Sequence, residues 1–116
     1  METHMDRYQK CIDICNKCMN ECQFCLDACM HEPDVDKRVD CMSLLIDCME
    51  ICALASKFMS GNSRYAVEIC QLCANICDDC ATECDKFKDN HCQSCAQVCR
   101  QCAEECRSMA NMTASV

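Results

Sequence analysis

The sequence predicts an all-α protein: an antiparallel up-down-up-down four-helix bundle whose core is lined with thiols. Three observations carry that expectation. Cysteine accounts for 19 of the 116 residues, and nearly all of them recur in alternating steps of three and four. Such steps return side chains to one face of a helix, and in a bundle that face is the core. Proline and glycine occur once each, at Pro33 and Gly61, and both punctuate the pattern. No stretch shows the apolar–polar alternation of a half-buried strand.

The first helix is expected over 5–30. Its inner stripe reads Tyr8, Cys11, Cys15, Cys18, Cys22, Cys25, Cys29, with His4 one turn before Tyr8. His31-Glu32-Pro33-Asp34 breaks it, because proline removes a helical hydrogen bond but suits the first turn of a new helix. Glu32, Asp34 and Asp36 suit a helix N-terminus. The second helix is expected over 34–59, with Cys41, Leu45, Cys48, Cys52, Ala55 and Met59 inside. Leu45 stands where the stripe would otherwise carry a thiol. Gly61 suits a helix C-cap, and Asn62 or Ser63 suits the next N-cap. The third helix, over 63–87, carries Cys70, Cys73, Cys77, Cys80 and Cys84. Lys88-Asp89-Asn90 turns the chain, with Asp89 or Asn90 as a cap. The fourth helix, over 91–110, carries Cys92, Cys95, Cys99, Cys102 and Cys106. Short connections between long helices imply antiparallel neighbours. The length suits one domain, 1–116.

Charge and composition exclude several classes. The formal charge is −8, so a basic nucleic-acid footprint is absent. No run approaches the roughly eighteen apolar residues of a membrane span. Partners are therefore expected to include neither nucleic acid nor membrane. The first ten residues are polar and carry no export signal, which leads to a cytoplasmic expectation. A secreted disulfide scaffold fits poorly, since the cysteine count is odd and stripe neighbours on one rigid helix have poor disulfide geometry. The second helix also carries Met42, Leu44, Ile46, Met49, Ile51 and Leu54 around its thiol face. Those side chains need another surface, either deeper burial within a monomer or a homo-oligomer.

The thiols themselves point to metal. Cysteine packs acceptably as a small hydrophobe, but a core made largely of thiols offers little packing volume and an oxidation hazard. Residues i and i+3 or i+4 lie about 5–6 Å apart at Cβ, so two thiolates can grip one ion. Cu(I) is soft and prefers sulfur. It accepts two or three ligands, so a C-x3-C pair such as Cys11/Cys15, Cys18/Cys22, Cys25/Cys29, Cys48/Cys52, Cys73/Cys77, Cys80/Cys84, Cys95/Cys99 or Cys102/Cys106 makes a site. Cys41, Cys70 and Cys92 would need partners from another helix. Charge supports a monovalent ion, because roughly one Cu(I) per thiolate neutralises a buried set that would otherwise be prohibitive. The alternative is a zinc or cadmium thiolate buffer or detoxification protein, with four ligands and two charges per ion. Iron–sulfur runs have different spacing and a following proline. The C-x2-C units are slices of longer stripes, without the βαβ setting of a thiol redox enzyme. No acid–base pair or partnered nucleophile stands out, so no catalysis is expected.

Softer ligands gather at the two ends. His4, Met59 and Met109 share one end with Tyr8. His31 and His91 share the other with Phe87. Either end suits a copper entrance, since methionine and histidine are exchangeable neutral ligands. The competing readings are core filling for the methionines and helix-end surface positions for the histidines.

From about Tyr8 to Arg107 the pattern resembles the bacterial four-helix-bundle copper storage proteins, often labelled cysteine-rich or ferredoxin-like. Thiols line all four helices, as in that family, and the chain is most similar to its cytosolic branch. The resemblance implies a homotetramer of bundles storing many Cu(I) ions per chain. It implies ligands among the nineteen cysteines, and a histidine or methionine near the mouth that admits copper. Copper donors or acceptors would be its physiological partners. Leu45 departs from the thiol pattern, and less copper is expected at its level.

Overall fold

The computed structural model describes residues 4–114, with side chains described for 7–111. Four helices carry the chain: α1 His4–Met30, α2 Val39–Ser60, α3 Ala66–Cys84 and α4 Asn90–Ala114. No strand occurs among the described residues. Sequential helices pack on one another and α4 closes back on α1. The bundle measures 52 × 19 × 19 Å.

Sulfur contacts read out the helix directions. Cys11 meets Cys106, Cys22 meets Cys99 and Cys25 meets Cys92, so rising numbers in α1 face falling numbers in α4. Cys41 meets Cys84, Cys48 meets Cys77 and Cys52 meets Cys73, so α2 and α3 are antiparallel as well. All nineteen cysteines are 0–1% exposed and unpaired by disulfides. Leu45 and Met59 are the largest fully buried side chains. Alanines Ala55, Ala74, Ala81, Ala96, Ala103 and Ala110 are buried beside the thiols. Small side chains there let the helices approach closely enough for sulfur to touch sulfur.

The connections differ in detail from the sequence expectation. After Pro33 the chain makes a short 3-10 turn, Val35–Lys37, and α2 starts only at Val39. The delay has a cause: the turn delivers Arg38 into the end of the core, where it is 4% exposed. At the other end of α2, Gly61 is the C-cap residue with ordinary helical-side dihedrals, and Asn62 takes the left-handed conformation at φ 52. Ser63 N–H donates to the Phe58 carbonyl at 2.9 Å and Asn62 N–H to that of Met59 at 3.1 Å. That pair of bonds is a Schellman closure, with asparagine at the position glycine usually fills. Ser63 Oγ accepts from Tyr65 N–H at 3.0 Å just before α3. Helix α3 ends at Cys84, three residues short of Phe87, and Asp89 offers its backbone carbonyl to Cys92 and Gln93 at the start of α4.

Candidate metal centre

The thiols form one connected file along the bundle axis. Near the end that holds Tyr8, Met59 and Met109, Cys11 and Cys15 lie 3.6 and 3.7 Å from Cys106. At mid-height Cys18 lies 3.8 Å from Cys48 and 3.7 Å from Cys99. Cys52 there reaches Cys73, Cys77 and Cys102 at 3.8, 3.9 and 4.0 Å. Further along, Cys22 meets Cys95 at 3.7 Å, and Cys41 meets Cys84 at 3.6 Å. The far end gathers Cys25, Cys29 and Cys92 with His91.

Groups of four ligand atoms, all within 4.8 Å of one another, include Cys15/Cys73/Cys102/Cys106, Cys18/Cys48/Cys52/Cys77, Cys18/Cys22/Cys48/Cys99 and Cys52/Cys73/Cys77/Cys102. Each draws on at least three helices. The spacing of the sequence suggested C-x3-C pairs within one helix as the unit. Direct contacts of that kind occur at Cys25/Cys29, Cys73/Cys77 and Cys95/Cys99, at 4.0, 3.8 and 3.9 Å. The shortest sulfur contacts, at 3.6 Å, all cross between helices. The reason is geometric: Cβ vectors on one helix diverge, whereas facing helices aim theirs into the same space. Cys41 and Cys92 find the cross-helix partners their spacing required, Cys84 and Cys25.

Protonation follows from this crowding. Contact with neighbouring thiols, Cys102 foremost for Cys15, Cys52 and Cys77 and Cys18 foremost for Cys22 and Cys99, raises those five, and burial raises them further. Hydrogen bonds from neighbours lower Cys18, Cys48, Cys73 and Cys95. The protons therefore leave in steps that belong to the connected set. Cys92 is pushed up to about 12, chiefly by burial. Without metal such a core holds neutral thiols over much of its length, and metal entry must expel their protons.

The two ends are built differently. Tyr8, Met59 and Met109 are buried at 5%, 0% and 3% exposure, so both methionines belong to the packed core. His4 begins α1, but its side chain lies outside the described residues. At the opposite end His31 is exposed and donates from Nδ1 to the Asp27 carbonyl at 2.8 Å, away from the thiols. His91 does face them. Its Nδ1 lies 3.4 Å from Cys25 Sγ and 3.5 Å from Cys92 Sγ, and its Nε2 lies 3.2 Å from Glu32 Oε1. The carboxylate fixes the ring and directs Nδ1 inward.

Arg38 completes this end and was not anticipated as a site residue. Its guanidinium donates to Asp34 at 2.7 Å, to Asp89 at 2.6 Å, and to the sulfurs of Cys29 and Cys92 at 3.7 and 3.5 Å. It also lies 4.4 Å over the Phe87 ring. Burial opposes its charge, but Asp34 and Asp89 outweigh that penalty and raise its pKa, so it stays a cation. Arg38 in turn lowers the pKa of Asp89. A signal for Arg38 was present in the sequence: counting the α2 stripe back from Cys41 by one three-residue step lands on it.

A closed four-helix bundle whose core is a continuous file of free thiols, with one histidine turned into it, defines a metal–thiolate protein. Comparison with known proteins names the class more closely: the chain matches the family described as copper storage protein over residues 4–111, and it belongs to that family. It is similar to the solved Cu(I)-bound copper storage protein BsCsp3, with 45% identity, TM-score 0.87, and coverage of 90% of this chain and 98% of that one. It is similar to apo-Csp3 from Bacillus subtilis, with 46% identity, TM-score 0.84, and coverage of 89% and 98%. A cytosolic copper storage protein from Streptomyces lividans, captured during copper loading, gives 29% identity and TM-score 0.88 over 93% of this chain and 95% of that one. Comparison with curated proteins gives no match.

Proposed function

We propose that the chain is a high-capacity Cu(I) store in which the nineteen cysteines hold many ions per chain as thiolates. The observation that carries this is the unbroken file of buried, free thiols. Soft sulfur selects Cu(I), and one positive charge per thiolate lets the file fill without accumulating buried charge. Cu(I) is cargo here. Nothing in the arrangement calls for a catalytic step, and the proposed role is binding alone.

Copper enters, in this reading, at the His91 end. His91 is the ligand-type side chain that touches thiols on one side and a partly exposed carboxylate on the other, being 13% exposed itself beside Glu32 at 29%. Met59 and Met109 serve as core filling at the sealed end, and His31 as a surface residue. At the level of Leu45, fully buried and without a sulfur, copper density is lower.

Among the described residues no helix is long and apolar enough to cross a membrane. A cytoplasmic location and a homotetramer remain part of the proposal. Met42, Leu44 and Met49 are half-buried against the core, while Val39, Ile46 and Leu54 of α2 and Leu72 of α3 are exposed and supply apolar surface for a second copy. Sedimentation analysis tests the assembly, with a monomer at micromolar concentration as the contrary result.

The storage function is tested by competition. Reduced protein mixed anaerobically with Cu(I) held by a chromophoric chelator should strip copper from the chelator over many equivalents. A protein that leaves the chelator fully loaded is not a copper store.

A further inference from the structure

The four ligand atoms at the His91 end already stand near the corners of a tetrahedron. Cys25, Cys29 and Cys92 form a nearly equilateral sulfur triangle with edges of 4.0, 3.9 and 3.9 Å. His91 Nδ1 lies 3.4 and 3.5 Å from two of those sulfurs and within 4.8 Å of the third. A zinc-class ion about 2.3 Å from each sulfur and 2.0–2.1 Å from nitrogen implies sulfur–sulfur edges of roughly 3.8 Å and nitrogen–sulfur edges of roughly 3.5 Å. Small adjustments of the side chains close the difference.

Sulfur contacts of similar length occur throughout the core, so distance alone does not single out this cluster. Three further features do. It is the cluster with a nitrogen ligand, and three thiolates with one histidine is a common zinc donor set. Its histidine is seated by Glu32 through the far ring nitrogen, the arrangement that orients metal-bound imidazoles. Arg38 is the one buried charged residue among those described, and it donates to two of the three sulfurs.

Charge then distinguishes the candidate ions. A divalent ion with three thiolates carries one net negative charge, and the guanidinium that donates to two of the sulfurs offsets part of it. A single Cu(I) in the same site would leave two negative charges, and neutrality with Cu(I) is reached only at a full load of one ion per thiolate. A divalent ion in one of the all-cysteine groups of the mid-core would also leave two, with no guanidinium nearby to offset them. Asp34 and Asp89 pair with that guanidinium at 2.7 and 2.6 Å from positions 40% and 30% exposed, so they hold it over the two sulfurs and it shares its charge between carboxylates and thiolates.

We propose that Cys25, Cys29, Cys92 and His91 form a site for one divalent zinc-class cation, with Arg38 as its charge-balancing and positioning residue. Binding expels the three thiol protons to solvent and leaves three metal–sulfur bonds and one metal–nitrogen bond. The ion ties α1 to α4 at the end of the bundle before copper arrives. Cu(I) in excess displaces it, because soft thiolates favour Cu(I). This site goes beyond the copper-storage reading, and its test is made on copper-free protein.

The experiment titrates zinc alone into fully reduced, copper-free protein against a chromophoric zinc chelator, and repeats the titration with Co(II) to record its electronic spectrum. One tight zinc per chain is expected, with tetrahedral ligand-field and thiolate charge-transfer bands for Co(II). His91→Ala should weaken zinc about 10–100-fold and shift the cobalt bands. Arg38→Met should weaken it by a similar factor, and Arg38→Lys should restore part of the loss, because it keeps the charge but not the forked contacts. Met109→Leu, at the far end, should change neither affinity nor spectrum. Circular dichroism confirms that each variant is helical. If Arg38→Met is not, the decision rests on His91→Ala and Arg38→Lys. The proposal is overturned by zinc binding at several equal sites that ignore His91 and Arg38, by octahedral cobalt bands, or by no zinc uptake against the chelator. Copper capacity of the same preparation is measured separately, so a failed zinc site leaves the storage reading intact, and the reverse.

Discussion

The two ends of the bundle are closed by opposite means. At one end, among the described side chains, Tyr8, Met59 and Met109 fill the core with largely apolar volume. At the other, a cation, a histidine and three carboxylates are arranged around the last thiols. Apolar packing is cheap to maintain, and here it buries the two described thioethers of that end, Met59 and Met109, away from an arriving ion. A polar closure must satisfy every buried donor, and no buried side-chain nitrogen or oxygen among the described residues lacks a hydrogen-bond partner. Such a network also reaches the surface, through Asp34, Asp89 and Glu32 at 40%, 30% and 29% exposure. The contrast teaches that the seal and the door of a thiol-lined bundle are distinguished by chemistry at the helix ends, while the file of sulfur between them is much the same.

The comparison is most severely strained by emptying the sealed end. Met59→Ala removes a fully buried side chain, and a large-to-small change of this kind is expected to destabilise the metal-free protein by about 2–5 kcal/mol. Chemical denaturation measures it, and a cost below 1 kcal/mol would mean that this end is loosely packed. At the other end His91→Ala is expected to slow Cu(I) loading by about 10-fold or more, in line with the effect of disturbing metal-site ligands and their partners. Met109→Leu should leave the rate within about twofold, because the swap conserves volume. Stopped-flow loading with equal slowing in both variants would erase the distinction between door and seal. A smaller effect is expected from Cys18→Ser with Cys22→Ser, which sits between the ends. It should remove only a few ions, counted by elemental analysis. Loss of all uptake would show that the file loads as one cooperative unit. The smallest change is Leu45→Cys, which restores a thiol at the gap and should add about one Cu(I). No gain there would mean that the gap lies outside the copper path.

Much of this was legible in the sequence because a helix converts spacing into direction. The stripes in all four helices assigned every cysteine to the interior, with Leu45 filling the gap in α2, and all nineteen are there. The single proline and single glycine marked two of the three connections. What the spacing could not give was the partnership between helices. Whether Cys48 meets Cys18, Cys77 or both depends on the axial offset of packed helices, which no one-dimensional period records. The delayed start of α2 was obscure for a similar reason. Arg38 has its place because Asp89, 51 positions away, and the Cys29 and Cys92 sulfurs receive its donors. His31 and His91 looked equivalent in sequence. The structure separates them, since α1 ends at Met30 and leaves His31 exposed, while His91 rides the first turn of α4 beside Cys92. The φ of Asn62 was likewise masked by the neighbouring glycine.

The central claim is that the sulfur file is a store, and stoichiometry tests it most directly. Fully reduced protein is titrated anaerobically with Cu(I) in the presence of a competing chelator, and bound metal per chain is read by elemental analysis. Saturation at about fifteen or more Cu(I) per chain, approaching one per thiolate, is the expected result. Saturation below about five would contradict storage and return the protein to a zinc-type thiolate site with far fewer ions.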